Sequence, residues 1–572
     1  ISDFSELHDA ITSNDSMSPN VDDNSSHIYT LKNDLSVDPS IQVDPDCHAY
    51  FCGYFHDEID GASKSIIGLQ GPLFEGIGTN GVIHDLNLTT SENLQVNTPF
   101  GAVSIDNHGS LENVNATLSL KIDVDADNIG GLVATNYANI SNSSSTGSIE
   151  TLESAGTTVV DSIGGIAGTN FGKIESTHSS VDISSNASSV GGLVGTNVGG
   201  YADNRIENSY SNATSVSGAI NVGGLVGLNA GGTITNSFST SNVTAGQNAG
   251  GLVGTTYDGG DINSTFATGN VTYDETGNHD NCPWDNSRRM FICDTENGYR
   301  FGGLVGNAGS DIGSSYSSGE VSGLHSIGGL VGNLQIGIEV ANSFSSGQVF
   351  GSVDVGGLVG TSAGDIYNSH EYGNVQPNDN AEKIGGLIGN AVDGQIIAST
   401  ASGNINYNGE GNSLGALVGE NFAAIAYSGA SGDVKAPYSD LVGGLIGINY
   451  AAPLSNVYAL GNVVANNYGA LLIGDFEGGS LDKFYTEGNL TCSDSADSCN
   501  SLLPDIGYIN WGSPDLTLID KLASKEVIDP TSQYWPAFPV NHVDIFQSSN
   551  LDRKSTRLNS SHTDISRMPS SA

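Results

Sequence analysis

Aspartates at positions 123, 125 and 127 are spaced two residues apart, which in an extended strand turns all three carboxylates to one face. Three carboxylates on one face suit calcium, a hard cation that takes oxygen ligands, and a solvated acidic strip is the plainer alternative. A second group, Trp284, Arg288 and Arg289, lies in the stretch DETGNHDNCPWDNSRRMFICDTENGYR, residues 274–300. It offers an aromatic ring and two guanidinium groups for recognition, or is a neutral surface decoration. Six cysteines fall into close pairs: Cys47 with Cys52, Cys282 with Cys293, and Cys492 with Cys499. With no C-x-x-C spacing and no clustered histidines, these fit local disulfides better than zinc or thiol chemistry, and disulfides imply an oxidising compartment. No catalytic residue and no cofactor other than calcium is assigned.

What positions these groups is a repeat. Gly-Gly-Leu-Val-Gly and its variants begin at Gly130, Gly164, Gly191, Gly223, Gly250, Gly302, Gly328, Gly356, Gly385, Gly415 and Gly443, with degenerate copies at Gly71, Gly101 and Gly469. Intervals run from 26 to 34 residues except the 52 between Gly250 and Gly302, where residues 274–300 intervene. A period of this length marks a solenoid whose units bury their apolar faces only by stacking. With 77 glycines and 14% charged residues, the composition is that of turns and strands, not of an α-solenoid. A phosphate-cradling loop is excluded, since no Lys-Ser/Thr follows any copy.

Residues 222–243, VGGLVGLNAGGTITNSFSTSNV, show one unit well. Short apolar runs between Gly, Asn and Ser read as strands and turns. Three strands and three connections in about 28 residues make one coil of a parallel β-helix, right-handed by the crossover rule. Asparagine follows the motif at Asn136, Asn170, Asn197, Asn229, Asn307, Asn333, Asn390, Asn421 and Asn449, which predicts one amide ladder up the solenoid. Aromatics recur at Tyr210, Phe238, Phe266, Tyr316, Phe344, Tyr458 and Tyr485. The alternation Ile234, Asn236, Phe238 predicts that they point inward as a core column; pointing outward, they would form a carbohydrate-binding strip. Leu225 and Val226 are neighbours and both apolar, so either a glycine bend turns both inward or one forms an exposed stripe favouring lateral association.

The repeat resembles the GLUG motif of large bacterial surface and secreted proteins, over residues 71 to about 490. The resemblance implies an extracellular, adhesin-like β-helical module and carries over no active site. Some relatives are attached to His-Glu-x-x-His metallopeptidase domains; here His370-Glu371-Tyr372-Gly373-Asn374 lacks the second histidine.

The expected organisation is an N-terminal cap over residues 1–70, repeats over 71–490, a C-terminal cap over 491–551, and a tail over 552–572. In the first cap Phe4 to Ile11 reads as an amphipathic helix and His27 to Leu35 as a strand; in the second, Leu516 to Val527 reads as a helix. The tail, DRKSTRLNSSHTDISRMPSSA, resembles translated sequencing-adapter read-through and is set aside. The start at Ile1, with no methionine, reads as processed or truncated.

The formal charge of -46, from 63 acidic and 17 basic residues, excludes nucleic acid as a partner. No apolar stretch is long enough to span a membrane. These readings predict a non-catalytic secreted or cell-surface structural or adhesive module with a carbohydrate or protein ligand. A polysaccharide lyase or glycosidase on the same scaffold is the alternative, and needs carboxylates converging in one groove.

Overall fold

The structure is a computed structural model and describes residues 1–14, 16–23, 27–123, 126–152, 161–200, 204–257, 259–274, 284–285, 290–291, 298–493, 505–509 and 517–521. Cys282, Cys293, Cys499, Arg288, Arg289, Asp125 and the tail 552–572 lie outside these residues.

Successive strands pair with their equivalents one repeat later, in parallel and in register, through about 15 turns of roughly 29 residues. The chain is therefore an all-β parallel solenoid. One turn carries five short ladder segments: Asn221–Gly223, Val226–Ala230, Thr233–Thr235, Phe238–Ser239 and Asn242–Ala245. The second of these belongs to a 17-stranded sheet, in which only Met17–Ser18 pairs antiparallel.

Leu225 and Val226 are both fully buried. The amides of both donate to the carbonyl of Leu252, at 2.9 and 3.0 Å, and the same two-to-one pattern repeats in the coils that follow, through Leu445 and Ile446 onto Leu472. Two residues opposite one is a bulge, and a bulge resets the alternation so that neighbours share a face. No apolar Leu/Val stripe is left bare, and the ground it would have given for lateral association goes with it.

The glycines make this bend possible. A Cβ on Gly224 would lie 2.2 Å from the Gly251 carbonyl oxygen of the next coil, and one on Gly227 would lie 2.6 Å from the Val190 backbone nitrogen. Contacts that short with backbone make the neighbouring coil shift before a side chain fits, as it must where Ala102 and Ala416 hold the Gly224 position and Ala134 the Gly227 position.

The aromatic expectation is overturned for all but Tyr458, which is buried. Tyr210, Phe238, Phe266, Tyr316 and Phe344 are only half-buried and point outward, while the following Ser211, Ser239, Ala267, Ser317 and Ser345 are buried. Parity changes at Asn236, which takes the left-handed conformation at φ 48°, as do Asn208, Ser264, Ser314 and Asn342 in neighbouring coils. Asparagine tolerates that region better than most residues. Ser237 next to it turns inward, donates to the Thr235 carbonyl at 2.7 Å, and accepts the amide of Ser209 at 3.1 Å. Ser315, Ser343, Ser369, Ser399 and Ser428 likewise accept an amide from the preceding coil.

Outside, six rings stack from His178 to Phe344 with centroids 4.7–5.0 Å apart and planes within 9° of parallel. That spacing is the distance between strands. Because each inner ring has neighbours on both faces, the column offers edges rather than open faces, and outward placement does not make it a sugar platform.

The amide ladder exists but is two columns. Asn107, Asn136, Asn170, Asn197 and Asn229 are fully buried and joined by amide-to-amide hydrogen bonds of 2.7–2.8 Å, and Asn421 bonds Asn449 at 2.7 Å. Asn307, Asn333 and Asn390 stand one position earlier, in register with Thr255 and Thr361. Their repeats lack the residue between the last glycine and the asparagine, so the side chain falls on the other side of the strand.

At the N-terminus, Phe4–Ser13 is a helix. Asp3 accepts the Glu6 amide at 2.8 Å and Glu6 accepts the Ser2 amide at 2.7 Å, a reciprocal capping arrangement. Phe4, Leu7 and Ile11 are buried, with Phe4 edge-on to Tyr50 and His8 stacked on Phe51. Ile28–Thr30 and Leu35–Ser36 pair in parallel with Glu58–Leu69. The helix expected over 516–527 is corrected: Thr517–Lys521 is a strand, parallel to Ser480–Thr486 and completing another rung.

The bend predicts a sharp contrast. Gly224→Ala should destabilise the surrounding coils by about 1–3 kcal/mol through overpacking against backbone. Gly313→Ala, whose Cβ would meet nothing closer than 3.4 Å, should stay within about 0.5 kcal/mol. Hydrogen exchange across residues 190–254 and 263–341 reads both, and equal effects would refute the close-approach account.

Candidate functional site

Repeat length varies most at one corner, although the turn after the amide position also varies, from four positions between Asn170 and Ile174 to nine between Asn197 and Ile206. Seven positions separate Val243 from Gly250, Val321 from Gly328, and Val349 from Gly356, each pair lying in continuous registered ladders. At the same corner ten separate Val375 from Gly385, ten separate Ile405 from Gly415, and nine separate Val434 from Gly443. The 274–300 insertion opens there too, between Val271 and Gly302.

The three consecutive lengthened corners enclose a surface pocket lined by Asn380, Ala381, Glu382, Glu410, Gly411, Asn412, Tyr438, Asp440 and Asn466. Glu382, Asn412 and Asp440 occupy equivalent positions in successive coils. Asp440 is fixed by the Asn466 side-chain amide at 3.2 Å and the Asn467 backbone amide at 3.1 Å. Beneath, the buried Tyr407 hydroxyl donates to the Glu410 carbonyl at 3.1 Å and accepts the Ala381 amide at 3.3 Å, tying two corners together. Tyr438 stands at the rim, 60% exposed.

Across the glycine bend, side chains of the first ladder of one coil meet those of the second ladder of the next as a polar seam. Ser162 pairs with Thr196 at 2.6 Å, Thr255 donates to Asn221 at 2.7 Å, and Ser326 pairs with Thr361 at 2.8 Å. The seam becomes ionic where Lys383 lies 3.5 Å from Glu420 and 4.0 Å from Asp354. Burial holds the Asp354 carboxyl above its ordinary range, partly offset by the Lys383 charge. Further along, burial and the neighbouring Glu477 push Asp475 up to about 6.

The sequence-predicted groups fall as follows. The strand before Asp123 ends at Ile122 and the next begins at Asn128, so Asp123 and Asp127 are exposed on the loop-bearing corner and not in one strand. Asp127 raises the carboxyl of Asp161, after burial, which is the larger cause. Trp284–Asp285 pairs antiparallel with Met290–Phe291 within the insertion. Cys47 is bridged to Cys52, and Cys492 is disulfide-bonded as well.

Sequence reasoning missed a cluster near the N-terminus, where His84 lies 3.0 Å from Asp85, 3.2 Å from Glu58 and 4.0 Å from Asp60. Ligand atoms of Asp60, His84 and Asp85 are close enough to share a metal ion. Burial depresses the imidazole, yet the carboxylates outweigh it and hold the pKa above its usual value. The residues come from adjacent coils, which a single unit cannot reveal.

His370 and Glu371 interrupt two columns. His370 follows Phe344 in the aromatic register and is buried, which pushes its pKa down to about 4. Glu371 occupies the inward position held by Ser345 before it and Ala401 after it. It accepts the Gly403 amide at 3.0 Å, its Oε1 has no partner, and burial pushes its pKa up to about 8.

A parallel β-solenoid with a polar seam and loop-bearing corners is thus the class. The family model of the GLUG motif matches residues 125–150 and 218–244, two of the repeats. No curated protein sequence matches the chain. Among solved structures, a chain titled "IgA1 Protease" is similar at 23% identity and a TM-score of 0.38, covering 49% of this chain. The chain spans 22% of that protein's length. No helix among the described residues is long and apolar enough to cross a membrane.

Glu371 generates a pH prediction. Its folded pKa lies above the unfolded one, so between about 4.5 and about 8 the folded state binds the extra proton and stability falls as pH rises. Glu371→Ser, restoring the residue of the preceding coil, should raise stability at pH 8 by roughly 1–3 kcal/mol, the cost of an unsatisfied buried group, and by less at pH 5. Denaturant unfolding at the two pH values checks it; an equal gain at both would show that the carboxyl does not titrate there.

Proposed function

We propose that this chain is a secreted or cell-surface structural and adhesive module, without catalysis of its own, that holds loops along one edge toward a carbohydrate or protein ligand. The observation that carries the reading is that length variation falls at two corners, most of it at the one after the fifth ladder, while serine, amide and aromatic columns repeat from coil to coil. Repeated columns supply stiffness; variable loops supply contact. The Cys47–Cys52 bridge fits an oxidising, exported location. The acidic surface fits solubility in salt and loose capture of cations such as calcium.

A polysaccharide-processing enzyme is the second reading, favoured by the approach of Asp354 and Glu420 to Lys383. Its carboxylates face a shared cation within the seam rather than flanking an open cleft.

Antibody against the chain should label intact, unpermeabilised producing cells or recover it from their medium. Beads coated with the chain should adhere to a glycan- or protein-bearing surface. Labelling confined to permeabilised cells would sink the proposal, and reducing ends released from a polysaccharide by the wild type but not by Asp354→Asn would install the enzyme reading in its place.

A further inference from the structure

We propose that the pocket at the three lengthened corners is a subsite for a neutral oligosaccharide, with Tyr438 as its stacking platform. The inference rests on the adhesive reading and names the ligand of that edge.

Three observations carry it. The corner gains two or three residues in three successive coils, and the concavity lies where it does so. The lining runs over the three lengthened corners and Asn466 of the coil that follows, about 14 Å at the strand spacing and room for two to three sugar rings in line.

The second observation is the ring at its rim. The outer column from His178 to Phe344 covers its rings' faces with one another, and Phe422 is covered by Tyr450. Tyr438 is 60% exposed, and among the described residues no ring stacks on it. An exposed aromatic face beside polar groups is what the apolar C–H face of a sugar packs against.

The lining supplies the third. Glu382, Glu410 and Asp440 present acceptors only, while Asn412 and Asn466 present both donors and acceptors. Hydroxyl groups, which donate and accept, match this set. No lysine or arginine lines the pocket among the described residues, so a uronate, sulfate or phosphate would meet like charge unopposed. Asp440 is already held by two donors, which spares part of the ordering cost of binding.

Affinity electrophoresis of the full chain through gels containing starch, β-glucan, xyloglucan or galactomannan, with polygalacturonate as the anionic comparison, tests the assignment. The wild type should be retarded in at least one neutral gel and not by polygalacturonate, with or without EDTA. Tyr438→Ala should weaken retention at least tenfold, Asp440→Asn severalfold, and Tyr438→Phe less than threefold, since the ring remains. Phe266→Ala, in the outer column, should retain wild-type affinity, and hydrogen exchange over residues 375–443 should show that Tyr438→Ala keeps its fold. Retention lost with EDTA would mean that the carboxylates hold a cation instead, and overturns the proposal. So does retention by polygalacturonate alone, an unchanged Tyr438→Ala, or no retention in any neutral gel. Surface labelling without neutral-glycan retention ends this inference and leaves the adhesive reading standing; retention by a chain confined inside cells ends the adhesive reading.

Discussion

Two adjacent amides donating to one carbonyl of the next coil is the arrangement to which the other columns answer. It brings Leu225 and Val226 to the same side and folds the first and second ladders of each coil back toward each other. Glycine is favoured there because backbone crowds the space a Cβ would fill, and alanine replaces it at Ala102, Ala134 and Ala416. Once that bend recurs, from Val103 and Ser104 through Leu472 and Ile473, the remaining ladders are held in register, and side chains at equivalent positions stack whether or not their chemistry suits stacking. Asparagines, serines and rings profit from the repetition. Carboxylates and ammonium groups do not: Lys173 stands over Arg205 and Glu175 over Glu207. Each cation is offset along its own strand, Lys173 by Glu175 and Arg205 by Glu207 at 3.3 Å.

The period, the parallel stacking and the inward leucines were legible because they depend on spacing alone. The facing of the aromatics was not. Strict alternation from Ile234 to Phe238 assumes an extended Asn236, and one left-handed residue reverses everything after it. The clue was the recurrent Asn-Ser pair, since asparagine accepts that conformation and serine can then bridge two coils. Similarly, the division of the asparagines followed from a one-residue difference between Gly-Leu-Asn at 227–229 and Gly-Asn at 306–307.

The pocket was hidden for a different reason. Repeats of 29, 30 and 28 residues beginning at Gly356, Gly385 and Gly415 look ordinary, because the total length does not say on which face a coil spends its residues. Only the registered ladders locate the surplus. The acidic cluster around His84 was concealed in the same way, its members being distant in sequence and adjacent only after stacking.

The ring column has an optical consequence. Six π systems held nearly parallel, two of them the phenols Tyr210 and Tyr316, constitute a chromophore array whose transition dipoles couple across coils. Its ultraviolet dichroism belongs to the stack and not to any one ring, so parting two coils anywhere between His178 and Phe344 would cut the array in two and change the spectrum of both halves.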